Sequence, residues 1–273
     1  MDAQTLRAQA FKALHERKGA FVIPNPWDAG SAKMLASLGF EALATTSAGY
    51  AFSRARPDGG LTLDEALLNV QAIVAASDLP VAVDLENGFA DNPAECATSI
   101  LRAAQVGAVG GSIEDATGRE EGPIYCFEHA VARIEAAVAA ARSLPFPFTL
   151  TARAENFLHG NPDLADTIRR LQAFAEAGAD VLYAPGLRSA EDVLAVVRAV
   201  APKPVNVLMS GGLKLSVEQL SEMGVKRISV GSALALAAYG EFFRAAQEIR
   251  DSGTFGFTSR SMPFQQANSL FKD

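Results

Sequence analysis

Cysteine is scarce in this chain: only Cys96 and Cys126 occur among 273 residues, far apart and in no metal-ligand spacing. That excludes a disulfide framework and a zinc finger, and it suits a reduced, cytoplasmic setting. Positive charge is also in deficit. Lys and Arg number 24 against 31 Asp and Glu, a net charge of −7, and an acidic surface suits neither nucleic acid nor an anionic membrane as partner. No apolar run approaches a membrane span, and the charged, amphipathic start "MDAQTLRAQAFKALHERKGAF" lacks the apolar core of a signal peptide. A Gly-rich phosphate loop is missing as well. After the first apolar run stands "PNPWDAGSA", which argues against an open dinucleotide-binding sheet. No linker or low-complexity tract interrupts the chain. A single domain over 1–273 is expected, of a length that α/β barrels use.

What is present is an alternation. Short β-rich runs occur at "FVIPN" (21–25), "ALATTS" (42–47), "VAVDLE" (81–86), "GGSIED" (110–115), "FTLTARAE" (148–155), "VLYAP" (181–185), "VNVLM" (205–209) and "RISVGS" (227–232). Segments of helical period separate them. Asn92-Pro93 and Asn161-Pro162 read as helix starts, and Gly39, Gly107, Gly178 and Gly224 as helix stops. Eight strands each followed by a helix predict a parallel sheet closed as a (β/α)8 TIM-type barrel, with the N-terminal helix across its bottom. The final stretch, "GTFGFTSRSMPFQQANSLFKD", carries four Phe outside the repeat. They need a surface to cover, on the barrel or on a partner subunit.

Such a barrel gathers the carboxyl ends of its strands on one face, where chemistry is done. Asp84 and Glu86, Glu114 and Asp115, Arg153 and Glu155, and Asn206 end strands three, four, five and seven. Asp58 follows in the loop "RARPDGG", Trp27 stands after strand one, and Ser47, Ala48 and Gly49 stand after strand two. Carboxylates without Cys or His make an oxygen-only site suited to Mg2+ or Mn2+. Mg2+ keeps several waters, so Asp84 is expected to bind directly and Asp58, Glu86 and Glu114 through water. Arg153 can clamp a carboxylate or phosphonate, and backbone N–H groups of "TTSAG" can approach an anion closely. This combination suits a small 2-oxo acid that chelates the cation and passes through an enolate as a bond to its 3-carbon breaks. Plainer readings stand beside it: Asp115 as a helix cap, Glu155 as partner of Arg153, Trp27 and Tyr125 as packing, and His15, His129 and His159 as surface residues.

In order and spacing, the segments from about residue 20 to 250 resemble the isocitrate lyase/phosphoenolpyruvate mutase superfamily. The resemblance is carried by "NPWDAGSAKMLASLGFEALATTSAGYA", "PDGG", "VAVDLENGFAD", "SIEDATG", "TARAENF" and "PVNVLM". It implies a (β/α)8 barrel whose last helix is often exchanged between subunits, giving a homodimer or homotetramer. It implies Asp84 as direct Mg2+ ligand, with Asp58, Glu86 and Glu114 reached through water. Ser47, Ala48, Gly49, Arg153 and Asn206 fall at substrate-binding positions, with Trp27 beside them; Asp58, Glu114 and Arg153 are expected to serve catalysis. The departures are specific. The loop "EDATGREEGPIYCF" lacks the Cys and Lys of the lyase motif and the Lys and Asn of the mutases, Glu86 replaces an Asp, and Gly186 stands where tricarboxylate lyases have Glu. The chelating half of the machinery remains. The expectation is therefore a Mg2+-dependent carbon–carbon lyase on a small 2-oxo acid, oxaloacetate decarboxylation foremost. Phosphonopyruvate C–P chemistry, or a 2-oxo-dicarboxylate binding protein, are the alternatives. If the loop covers the ligand, Glu120, Glu121 or Tyr125 would be the proton donor.

Overall fold

The computed structural model describes residues 1–272. Its eight strands are β1 (Phe21–Ile23), β2 (Leu43–Ala44), β3 (Val81–Asp84), β4 (Gly110–Glu114), β5 (Thr149–Arg153), β6 (Val181–Tyr183), β7 (Val205–Leu208) and β8 (Arg227–Ser229). All pair in parallel, in the order β1-β8-β7-β6-β5-β4-β3-β2. Helices cover the outer face, so strand side chains are buried on both faces and the runs read as continuously apolar. The sheet closes into a (β/α)8 barrel at the β1–β2 seam. There the Ala44 N–H donates to the Pro24 carbonyl at 3.1 Å, and Asn25 Nδ2 donates to the Thr45 carbonyl at 3.2 Å. Asn25 Oδ1 also accepts from the Val230 and Gly231 N–H groups at 2.9 Å each. One short polar side chain thus ties strands β1, β2 and β8 at the top of the barrel.

Each strand is shorter than its sequence run, because the last residues bend away to form the loops of the upper face. Ser47 opens the Ser47–Ser53 helix, and Asp28 caps the Ala29–Ser37 helix through a capping box with Ser31. The N-terminal Ala3–Glu16 helix closes the bottom. Its Phe11 and Leu14 pack with Phe21 and Val109, and Gln4 Nε2 donates to the Ala104 and Ala108 carbonyls at 2.7 and 3.1 Å. The anticipated glycine stops hold, with φ of 83°, 98°, 104° and 88° at Gly39, Gly107, Gly178 and Gly224. Asn92 caps the Pro93–Gln105 helix as expected. Asn161 does not cap the Leu164–Glu176 helix. A tight turn from the Asp163 N–H to the Asn161 carbonyl (2.8 Å) absorbs Pro162, and Asp163 supplies the cap.

The Ala233–Ser252 helix leaves much apolar surface uncovered, with Phe242 and Phe243 72% and 60% exposed. The tail beyond it covers little of this. Phe264 is 83% exposed and Phe255 61%.

Candidate functional site

Register places the site. Glu114, Arg153, Tyr183, Asn206 and Arg227 are successive partners across β4 to β8, and Asp84 pairs with Ser112, two residues below Glu114. Their side chains converge on a cavity of about 490 Å3 at the carboxyl ends of the strands, within the range of roughly 300–1,000 Å3 common for small-molecule sites. Asp58, Ser47, Ala48, Asp84, Glu86, Glu114, Arg153 and Asn206 all line it. Trp27 and Gly49 do not. Trp27 lies near Tyr239, ring centroids 6.5 Å apart. Gly49 is a packing glycine, where a Cβ would stand 2.7 Å from Thr46 Cγ2 and 3.1 Å from Trp27 Cβ; its N–H is taken by Thr46 Oγ1 at 3.2 Å.

Arg153 stands among the carboxylates. Its Nη1 meets Asp84 at 3.0 Å, Nη2 meets Glu114 at 3.0 Å, and Nε meets Glu155 at 2.8 Å. The sequence suggested a free anion clamp; in this arrangement each of its nitrogens already has a carboxylate, and its guanidinium carbon lies 5.1 Å from the Tyr183 ring centre. It explains part of why acids crowd these strand ends. Asp84 is held further by Ser47 Oγ at 2.9 Å, while its own N–H donates to Thr45 Oγ1 at 3.0 Å. Asp115 is not a helix cap. It accepts the Glu155 N–H at 2.8 Å and pairs with Arg170 at 3.0 Å, fixing the β5 end from behind.

One guanidinium does not balance this set. Burial, then the charges of Asp84 and Asp58, pushes Glu86 up to about 7. Burial likewise raises Glu114 well above the ordinary glutamate value, with Arg153 opposing it, and lifts Glu155 to about 7. Asp58, on an exposed loop at the mouth, is raised by desolvation and by Asp84. Glu86 Oε1 is buried and has no hydrogen-bond partner. Its backbone is held at φ 49°, with Gly88 at 77° and Phe89 at 55°, the left-handed region that non-glycine residues rarely occupy outside functional turns. Arg133 fixes this turn from below. Buried itself, it donates to the carbonyls of Glu114 (3.1 Å), Ala90 (2.9 Å) and Asn87.

An orphaned, buried carboxylate oxygen beside two further acids is the environment a hydrated divalent cation would relieve. The oxygen-only donors fit Mg2+ or Mn2+. Among the described residues no three acids converge as direct ligands of one ion, so such an ion would keep waters in its shell.

The loop after β4 borders the cavity with Ala116 and Gly118, and its outer part is fastened to Asp91. Arg119 Nη1 reaches both oxygens of Asp91 at 2.9 and 2.8 Å, and the Tyr125 hydroxyl donates to Asp91. Glu120 and Glu121 are exposed, and neither they nor Tyr125 line the cavity.

Comparison with known proteins agrees with this geometry. The family model for phosphoenolpyruvate phosphomutase matches residues 11–250. The chain belongs to that family. A Burkholderia cenocepacia J2315 protein, whose crystal structure is described as that of a lyase/mutase, is 59% identical, with a TM-score of 0.97 over 100% of this chain and 98% of that one. The 2-methylisocitrate lyase of Halalkalibacterium halodurans is 31% identical over 90% of this chain and 83% of its own. The oxaloacetate decarboxylase of Paraburkholderia xenovorans is 29% identical over 98% and 89%. Phosphoenolpyruvate phosphomutase family membership places the protein in a superfamily of lyases and mutases, and so among enzymes.

One histidine differs from its surface reading, His15, while His159 is exposed as expected. His15 is buried between Phe11 and Phe21, and burial lowers its pKa to about 3. His159 lines the mouth of the cavity, with its pKa lowered by desolvation and by Arg153. Arg133 and Arg227 carry no sequence signal of their function. Only the register shows that Arg227 points into the barrel.

Proposed function

We propose that this protein is a divalent-metal-dependent lyase of small 2-oxo acids, and that oxaloacetate decarboxylation is its reaction. The observation that carries the reading is the acid cluster around Arg153 with the partnerless Glu86 oxygen in its midst. Asp84 would hold Mg2+ or Mn2+ directly, and Asp58, Glu86 and Glu114 would hold its waters. A cation bound there supplies Lewis acidity to a 2-oxo carbonyl. In the reaction the C3–C4 bond breaks, CO2 leaves, and the electron pair of that bond passes toward the carbonyl oxygen; a proton from solvent added at C3 gives pyruvate. Ser47 positions Asp84. Arg153, once one of its pairs opens, can take the C1 carboxylate, with Ala48 and Asn206 also on the cavity wall. Trp27 and Gly49 would serve by packing the turn that presents Ser47 and Ala48.

Bond cleavage of this kind needs no acid on the β4 loop, which suits a loop whose Glu120, Glu121 and Tyr125 stand clear of the cavity. The decarboxylase relative supports the substrate. The Phe-lined surface of the Ala233–Ser252 helix supports assembly as a homodimer or homotetramer, with that helix shared between subunits.

The test is pyruvate formation from oxaloacetate with Mg2+, compared with free Mg2+ alone and with Asp84→Ala. Turnover well above both is expected. A rate equal to the controls would remove oxaloacetate. Phosphate release from phosphonopyruvate would then favour C–P chemistry, and Mg2+-dependent binding without turnover would favour a binding protein.

A further inference from the structure

We propose that the guanidinium of Arg227 is an anion-binding floor beneath the metal-and-carboxylate layer, and that it selects 2-oxo acids carrying a second anionic group. The inference rests on the 2-oxo acid reading of the cavity.

Arg227 opens β8, in register with Phe21 on one side and Asn206 on the other. Its side chain crosses the barrel. Nε donates to Asn206 Oδ1 at 2.9 Å, and Nη2 donates to Thr151 Oγ1 on β5 at 2.9 Å. Thr151 precedes Arg153 by two residues on the same strand, so it faces the same interior one layer deeper, roughly 6–7 Å down the strand. The two guanidiniums are therefore stacked in depth: Arg153 at the level of the acids, Arg227 below it.

Barrel interiors are ordinarily filled by layers of bulky branched side chains. Here Ala44, Ala82 and Gly111 line the shaft, and the cavity runs past them to Arg227. The residue is only 6% exposed, yet both partners of its guanidinium are neutral. Among the described residues no carboxylate lies within ion-pair distance of it, and Nη1 has no hydrogen-bond partner in the protein. The acids above are committed elsewhere: Asp84, Glu114 and Glu155 each pair with Arg153. A buried cation with only neutral partners is unfavourable unless an anion meets it. Burial, with Arg153 adding repulsion, lowers its pKa to about 10, which leaves it charged at neutral pH.

The same layout answers a difficulty of the site. A dianionic substrate is repelled by the acid cluster at the mouth, and the bound cation offsets only part of that. A ligand whose 2-oxo carboxylate stays with the cation, and whose far carboxylate or phosphonate reaches down the shaft, would end on Nη1. A bidentate partner is then available, because Nη1 and Nη2 present parallel N–H bonds.

The experiment is binding, with Mg2+, of ligands matched in length but not in charge: 2-oxoglutarate against 2-oxovalerate by calorimetry, and oxaloacetate against 2-oxobutyrate by rapid mixing, before turnover. Wild type should bind the dicarboxylate of at least one pair about tenfold or more tightly. Arg227→Gln should bring that dicarboxylate to the level of its monocarboxylate and leave the monocarboxylate within about twofold; Arg227→Lys should retain part of the preference. A merely structural arginine would weaken both members of a pair alike and lower Tm. A wild-type preference near one in both pairs overturns the proposal without any variant, as does an Arg227→Gln protein that keeps the preference. Monocarboxylates that bind with Mg2+ but show no preference sink this inference alone. Failure of all four acids to bind sinks the 2-oxo acid reading as well. Phosphonopyruvate in the same titration tells whether a phosphonate serves as the far group.

Discussion

Replacing Glu86 by Gln should stabilise the metal-free protein at pH 8 and weaken its hold on Mg2+. Glu86 carries a carboxyl pushed from 4.5 to about 7 by burial and by the charges of Asp84 and Asp58. Below pH 4.5 the group is protonated in the folded and unfolded chains alike. Between 4.5 and 7 the folded chain keeps the proton that the unfolded chain gives up, so stability falls as pH rises through this window. Above 7 the folded protein bears the whole cost of the buried charge. At about 1.4 kcal/mol per unit this is at most about 3 kcal/mol; relaxation and the side chain's partial exposure leave about 1–3 kcal/mol. Gln keeps the volume and removes the charge, so metal-free Tm at pH 8 should rise by roughly 2–5 °C, with little change at pH 4.5. The assay is differential scanning fluorimetry in EDTA from pH 4.5 to 8.5, then with Mg2+. Wild type should recover stability with Mg2+ at pH 8, and Glu86→Gln should recover less. A variant with the same pH slope as wild type, or one less stable at pH 8, would refute the electrostatic account of this turn.

Other perturbations probe other parts. Arg133→Met removes donors from three carbonyls around the 87–90 turn and the β4 end. It should cost about 3 kcal/mol or more, seen as a lower Tm, with weaker Mg2+ binding in calorimetry; unchanged values for both would show that the turn holds itself. Phe242→Ser with Phe243→Ser should convert an oligomer to a monomer in light scattering, since both side chains are largely exposed on one helix. A wild-type chain that is already monomeric would remove the need for that face to be covered.

The fold was legible because its signals are local and repeated: apolar runs short enough for strands, the Asn92-Pro93 cap, and four Gly stops in a common phrase. The convergence of residues on one cavity was legible where they sit at strand ends, as Asp84, Glu114 and Arg153 do. It was opaque where function depends on direction across the barrel. Nothing in "VKRISVGS" tells that Arg227 points inward to Thr151 on a strand 76 residues earlier. Nor does "EHAVARIEAAV" tell that Arg133 reaches back to a turn 43 to 46 residues before it. Arg153 was placed correctly on its strand and face, but its engagement by three acids is a property of distance, which sequence spacing does not carry. Asn161-Pro162 failed for a different reason: a tight turn around Pro162 leaves Asn161 short of the helix, and Asp163 caps it instead.

Seven of the barrel's joints are strand ladders, while the eighth is a clasp: one main-chain bond from Ala44 and one side chain, Asn25. A ring fastened this way gives at its clasp first, so the Ala44 amide should exchange with solvent before those of β4 and β5. Asn25 also forms part of the cavity wall. Whatever fills the cavity therefore presses on the fastener of the ring, and occupancy of the site and closure of the barrel become one equilibrium, each tightening the other.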